Sequence, residues 1–264
     1  MNLIIFEIKG HLKSFVLWSA GMIFLIYSGM AKLQAYEQSG QSINELFQSM
    51  PGIFKALFGI SDYDLSTAEG FFVMLFLYIL LLIALYASTL GSEIIAKESR
   101  DKTNEFLLSK PISRQKILWQ KALAGLIILG LFIIITTVFS VFIVDIFNKG
   151  PSISSEIWYL SFSMIAVGLF FYSLGVFIAS SIKNKKNASQ IAVASVLASY
   201  LVFVIYKLLP DLSIIKYISI FDIFEAGRIL QNGYSLVAGI IVAIIICLLL
   251  LFASINYKKI EQSF

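Results

Sequence analysis

The chain has 264 residues, of which 59% are hydrophobic and only 14% charged, with a formal net charge of +4. A soluble domain carries about a quarter charged residues, so a water-soluble enzyme or a nucleic-acid-binding module is excluded. One histidine, His11, and one cysteine, Cys247, provide neither the ligand cluster of a tetrahedral zinc site nor an internal disulfide.

The first residues lack the short apolar core and small-residue cleavage site of a signal peptide. Residues 1–13 read instead as an interfacial helix. On a helical wheel Ile4, Ile5, Ile8, Leu12 and Phe15 share one arc, with Lys9 and Lys13 flanking it on one side and Glu7 and His11 on the other. The plain alternative is that this stretch is simply the start of the first membrane span.

Six runs meet the need for about 20 apolar residues per membrane helix: 14–30, 71–91, 122–144, 158–182, 188–209 and 234–256. An even number places both termini on one side. The N-terminus, residues 93–121, residues 183–186 and the C-terminal tail together hold 14 of the 20 basic residues and 6 of the 16 acidic ones. Lysine and arginine concentrate in cytoplasmic loops, so this set faces the cytoplasm. The expected protein is a single multi-pass domain, 1–264, in the plasma membrane with both termini cytoplasmic.

The first external loop, 32–70, is punctuated by Pro51, Gly52 and Gly59 into short amphipathic pieces. Leu46, Phe47, Phe54, Leu57 and Phe58 are expected to face the membrane or the other external loop. Ser66, with Glu69 three residues on, predicts a capping box at the start of the second span.

The spans contain almost no ionisable side chains; Glu69, Asp145 and Lys207 lie at their ends. That disfavours an ion-coupled secondary transporter, which wants a buried carboxylate, and a membrane enzyme, which wants paired carboxylates, histidines or a nucleophile. Small residues recur at helical spacing: Gly168, Gly175 and Ala179 in the fourth span, and Ala188, Ala192, Ser195 and Ser199 in the fifth. Such faces let helices approach closely in lipid, either within one chain or across a dimer.

Between the second and third spans lies one long charged insert, residues 93–121. The second span is expected to run past Gly91 as a helix, with Glu98, Asp101 and Glu105 near one face. A short helix over 101–108 presents Phe106, Leu107 and Leu108, and Pro111 ends it. Ser113 can cap the next helix, whose Arg114, Lys116 and Lys121 lead into the third span. An apolar knob among mixed charges suits a groove in a soluble partner. The alternative is a solvated loop whose leucines rest on lipid.

The external stretch 207–233 remains apolar. Pro210 breaks the fifth span, and Asn232-Gly233 marks a turn before the sixth. It fits two short helices dipping into the outer leaflet with Asp222, Glu225 and Arg228 near the polar surface, or an amphipathic helix lying on that surface.

The ordered set Glu98, Lys102-Thr103, Leu107-Leu108-Ser109, Pro111-Ile112-Ser113-Arg114 and Lys121 resembles the signature of ABC-2 type exporter permeases of the bacterial peptide and drug export kind. Lys102 stands where that family often has glycine. Softer likeness is carried by DLSTAEGF before the second span, SLGVFIASSIKNKKNASQIA across the fourth and fifth, and ISIFDIFEAGRILQNG before the sixth. The resemblance covers nearly the whole chain. It implies an all-α integral membrane fold of six transmembrane helices. To these it adds an N-terminal elbow helix, a cytosolic coupling helix, and an external re-entrant helical hairpin. It also implies that two such subunits, identical or paralogous, pair with two separate ABC ATPase subunits. Glu98, Asp101, Thr103, Glu105, Phe106, Leu107, Leu108, Pro111 and Arg114 are then the residues expected to meet the ATPase. No Gly-x4-Gly-Lys-Ser/Thr phosphate loop occurs, so ATP and Mg are expected on the partner and no catalytic residue on this chain. The expected role is export of an amphipathic peptide or hydrophobic drug-like cargo. Export of lipid, polysaccharide or sodium, or a stand-alone channel or secondary transporter, are the alternatives.

Overall fold

A computed structural model describes residues 3–39, 43–59, 63–100, 113–182, 184–209 and 219–260. Among them the chain is helical, with no strand. In order come α1 (Leu3–Ser39), α2 (Ile43–Gln48), α3 (Gly52–Phe58), α4 (Ala68–Arg100), α5 (Arg114–Phe147) and α6 (Ser154–Ser181). A 3₁₀ turn (Lys185–Asn187) leads into α7 (Ala188–Leu208), followed by α8 (Ile220–Ile223), α9 (Ala226–Asn232) and α10 (Leu236–Ile260). The six expected spans are all present: α1, α4, α5, α6, α7 and α10 are long and apolar enough to cross a membrane. A helix satisfies its own backbone donors and acceptors, which an apolar run in lipid cannot do otherwise. The four prolines, Pro51, Pro111, Pro151 and Pro210, all fall between spans, so no span loses a backbone bond to one.

Residues 3–13 do not form a separate helix. Leu3–Ser39 is unbroken, and Ile5 and Leu12 of the apolar arc are exposed while Glu7 and His11 turn into the bundle.

Helix α4 is the hub, packing on α1, α5, α6 and α7, and α10 is the most exposed span. The most extensive pairing is α4 with α6. There the helices touch backbone to backbone: a Cβ on Gly175 would fall on the Ser88 carbonyl oxygen, and one on Gly91 on the Tyr172 carbonyl oxygen. Hydroxyls along this core mostly bond to their own helix, as Ser88 to the Leu85 carbonyl (3.1 Å) and Thr136 to the Phe132 carbonyl (2.9 Å). Close packing of small residues, rather than interhelical hydrogen bonding, therefore holds this crossing.

The start of α4 differs from the expected capping box. Thr67 is the cap: its Oγ1 accepts from the Gly70 amide at 3.1 Å. Ser66 is taken by Asp64, whose Oδ1 accepts from the Ser66 amide (2.9 Å) and hydroxyl (2.6 Å). Asn44 on α2 adds a third bond to the same oxygen at 2.6 Å. These donors hold the Asp64 carboxyl below its ordinary range.

Candidate functional site

Three helices, α1, α4 and α5, come together beside the 101–112 connection around one buried ion pair. Lys121 Nζ donates to Glu7 Oε1 at 2.7 Å and to the Ile94 carbonyl at 3.0 Å. Both side chains are essentially inaccessible, at 1% and 0% exposure. The remaining oxygen, Glu7 Oε2, accepts no hydrogen bond and stands 4.0 Å from His11 Nε2, one turn further along α1. The sequence placed Lys121 at the end of the basic run that leads into the third span; the structure adds that it is buried there. α5 begins at Arg114, so Lys121 lies seven residues inside the helix, about 10 Å along its axis at 1.5 Å per residue. At that depth an unpaired ammonium is costly, and Glu7 with a helix carbonyl supplies the compensation.

A second cation crosses the same junction. Lys97 on α4 extends over α1, with its Nζ 5.7 Å from the Phe6 ring centroid. Gly10 makes room for it, since a Cβ there would come within 2.7 Å of Lys97 Nζ. Outward from this junction the seam between α1, α4 and α5 becomes aromatic. Tyr86 packs on Trp18 (5.5 Å between centroids) and on Phe132 (4.5 Å). The Tyr86 and Ser19 hydroxyls are buried there without hydrogen-bond partners.

The junction flanks the connection in which the coupling residues were expected. Asp101, Thr103, Glu105, Phe106, Leu107, Leu108 and Pro111 lie outside the described residues. So do the side chains of Glu98 and Arg114, which occupy the last turn of α4 and the first position of α5. Ser113 holds the N-cap position of α5, although its side chain makes no capping bond.

The small residues divide. Gly168 and Gly175 lie at intrachain contacts: a Cβ on Gly168 would meet Ile133 at 3.2 Å and Ile83 at 3.3 Å. On α7, Ala192 is buried within the chain, whereas Ser195 and Ser199 are only half-buried and Ser195 bonds back to the Ile191 carbonyl at 2.9 Å. Two contributors were missed, Gly91 and Gly125. A Cβ on Gly125 would fall on the Tyr172 hydroxyl, which donates to the Ala122 carbonyl at 2.8 Å.

At the opposite end of the bundle, α8 and α9 pack against the long helices. Phe221 lies 5.6 Å from Phe171 and 5.8 Å from Tyr200, between centroids. Glu225 and Ala226 line a small cleft with Val73, Phe76 and Leu80 of α4 and Phe203 of α7. Asp222, expected near the polar surface, is buried, because Arg228 Nη1 donates to its Oδ2 at 3.0 Å and Lys207 Nζ stands 3.8 Å from its Oδ1. Lys207 is shared with Glu225 at 2.7 Å.

The missed pair of Glu7 and Lys121 had one partial signal. Glu7 and His11 sit one turn apart, off the apolar arc of α1, which is the pattern of a polar stripe turned toward a partner helix.

A family model described as ABC-2 family transporter protein matches residues 1–257. No curated protein matches the chain.

Proposed function

The chain belongs to the ABC-2 transporter family, and from that premise we propose that it is an export permease for amphipathic peptide or hydrophobic drug-like cargo. Membership makes it the multi-pass membrane component of an ABC transporter, paired with an ABC ATPase subunit. Its own contribution is then mechanical. ATP closes the partner subunits, the 101–112 connection moves with them, and the spans pass between two packings that differ in affinity for cargo.

One observation carries this reading. The two helices flanking the charged connection, α4 and α5, are joined at their inner ends by Lys121 and the Ile94 carbonyl. A push on the connection is therefore delivered to the bundle hub rather than absorbed by a loose loop. Glu98, Asp101, Thr103, Glu105, Phe106, Leu107, Leu108, Pro111 and Arg114 form the ATPase contact in this proposal. The excess of basic residues at this end puts it in the cytoplasm, with both termini.

The packing of α9 beside Val73–Leu80 of α4, with α8 against α7, supports an external re-entrant pair. The described core between the two charge clusters holds apolar, aromatic and hydroxyl side chains with no buried charge, which favours an apolar or amphipathic cargo over a bare ion. A second permease subunit, identical or paralogous, would cover part of the exposed apolar surface of α7 or α10, lipid the rest.

The test is co-purification with the ATPase subunit from membranes, followed by ATPase measurements in nanodiscs. The panel comprises a cationic amphipathic peptide, a hydrophobic dye, a phospholipid, an oligosaccharide and sodium. Stimulation by the peptide or dye alone is expected. Stimulation only by sodium or the oligosaccharide would overturn the cargo, and absence of an associated ATPase would overturn the whole reading.

A further inference from the structure

We propose that the Glu7–Lys121 ion pair fastens α1 to the α4–α5 hairpin, so that the inner ends of the three helices move as one rigid body when the connection is displaced. This rests on the ATPase-driven reading above for the source of motion, although the fastening itself does not depend on it. The pair makes Glu7 and Lys121 positioning residues for coupling.

The geometry carries the argument. Lys121 contacts both neighbours at once, a carboxylate on α1 at 2.7 Å and a backbone carbonyl on α4 at 3.0 Å. A buried ion pair is a nearly all-or-none restraint. In a poorly screened site its attraction falls slowly with distance, but once separated each charge must be solvated or left uncompensated. Sliding of α1 past α5 by even one turn would strand both. Apolar ridges and grooves repeat along a helix and can re-seat after a one-turn shift, whereas this charged pair meets in one register only. Lys97 reaching across Gly10 toward Phe6 adds a second tie between α4 and α1 at the same level. Further along α1 the buried positions are Ser19, Met22, Ile26, Met30 and Leu33, and Tyr27 meets Phe147 of α5 edge-on at 5.4 Å between ring centroids. The buried ion pair itself sits where force from the connection would enter.

The experiment uses spin labels at Leu17 on α1 and Leu131 on α5, both exposed, in a Cys247→Ser background. The distance distribution is read by pulsed electron resonance in nanodiscs, first for the chain alone. The unmodified pair should give one narrow distance, Glu7→Gln and Lys121→Met at least a twofold broader distribution, and Lys121→Arg, which keeps the charge and the donors for Glu7 and the Ile94 carbonyl, a narrow one again. Equal widths in all four overturn the proposal, as does a Lys121→Arg distribution as broad as that of Lys121→Met. In the complex with the ATPase, the Leu17–Leu131 distance should stay fixed on adding MgATP and vanadate, while a second pair, Leu17 with Leu201 on α7, shifts. A nucleotide-dependent change in the first distance overturns the rigid-body claim without needing any variant to fold. Absence of an associated ATPase would instead count against the permease reading and leave the first arm to decide.

Discussion

Gly175 on α6 and Ser88 on α4 meet backbone to backbone, and a side chain at Gly175 has nowhere to go because the obstructing atom is a carbonyl oxygen of a packed helix. Gly175→Ala should therefore force the two helices apart, at a cost of about 1–3 kcal/mol. Gly130→Ala on α5 is the control: nothing lies within 4 Å of the added Cβ. Removing a mid-helix glycine there should be neutral or stabilising by roughly 0.5–1 kcal/mol. Thermal unfolding in one detergent ranks the two; equal midpoints would show that the crossing is looser than its geometry.

Breaking the inner ion pair from one side should cost more than removing it altogether. Lys121→Met leaves the Glu7 carboxylate buried without its partner, a loss of about 3–5 kcal/mol. Adding Glu7→Leu removes the stranded charge and should recover most of that loss, since well-packed apolar replacements of buried pairs are commonly neutral. The same unfolding assay reads this as a double-mutant cycle. Strict additivity of the two losses would show that the side chains act independently.

The bundle was legible because its signals are local. Each span is an apolar run bounded by charge or proline, and the order and type of all six helices follow from hydropathy and backbone satisfaction. The stripe of Gly168 and Gly175 was likewise visible, though its opposite number, Gly91 with Ser88, was not. What escaped depended on distant partners. Lys121 looked like one more cation of the charged insert because Glu7, 114 positions away, signalled its inward turn only by sitting with His11 off the apolar arc of α1. Asp222 looked like a surface acid because its burial depends on Arg228 and on Lys207 from another helix. The cap of α4 was misread by one residue, because Asp64 competes for Ser66 and leaves Thr67 to serve the Gly70 amide.

The outer cluster should hold α8 in place. Asp222 serves two cations, whereas Arg228 serves one described acid and is about a third exposed. Asp222→Ala should thus loosen the segment more than Arg228→Ala, which leaves Lys207 within reach of Asp222. Hydrogen exchange over residues 219–232 should speed up in both, by about tenfold more in the first if roughly 1.4 kcal/mol separates them. The reverse order would mean that the apolar packing of Phe221, not the acid, anchors the helix.

The topology has a direct check. An epitope inserted within residues 101–111 should be reached by antibody only after the cell membrane is permeabilised, the outcome expected from the basic excess on this side of the bundle. Labelling of intact cells would invert the bundle and remove any route from a cytosolic ATPase to α4 and α5.

The ATPase contact makes the sharpest demand on single residues. Leu107 is the proposed apolar anchor, so Leu107→Asp would place a charge in a partner's groove. Glu98→Lys and Arg114→Glu reverse the charges flanking the connection, at the last turn of α4 and the first position of α5. Loss of a central anchor costs about 2 kcal/mol or more, roughly thirtyfold in affinity, so each variant should drop out of a pull-down that retains the unaltered chain. Leu236→Ala, exposed at the start of α10 and far along the chain from the connection, should remain bound. Retention of all three coupling variants alongside this control would move the ATPase contact elsewhere on the inner surface. The first alternative to examine would then be the exposed Lys9 and Lys13 on the inner turns of α1, which the buried pair ties to the same hairpin.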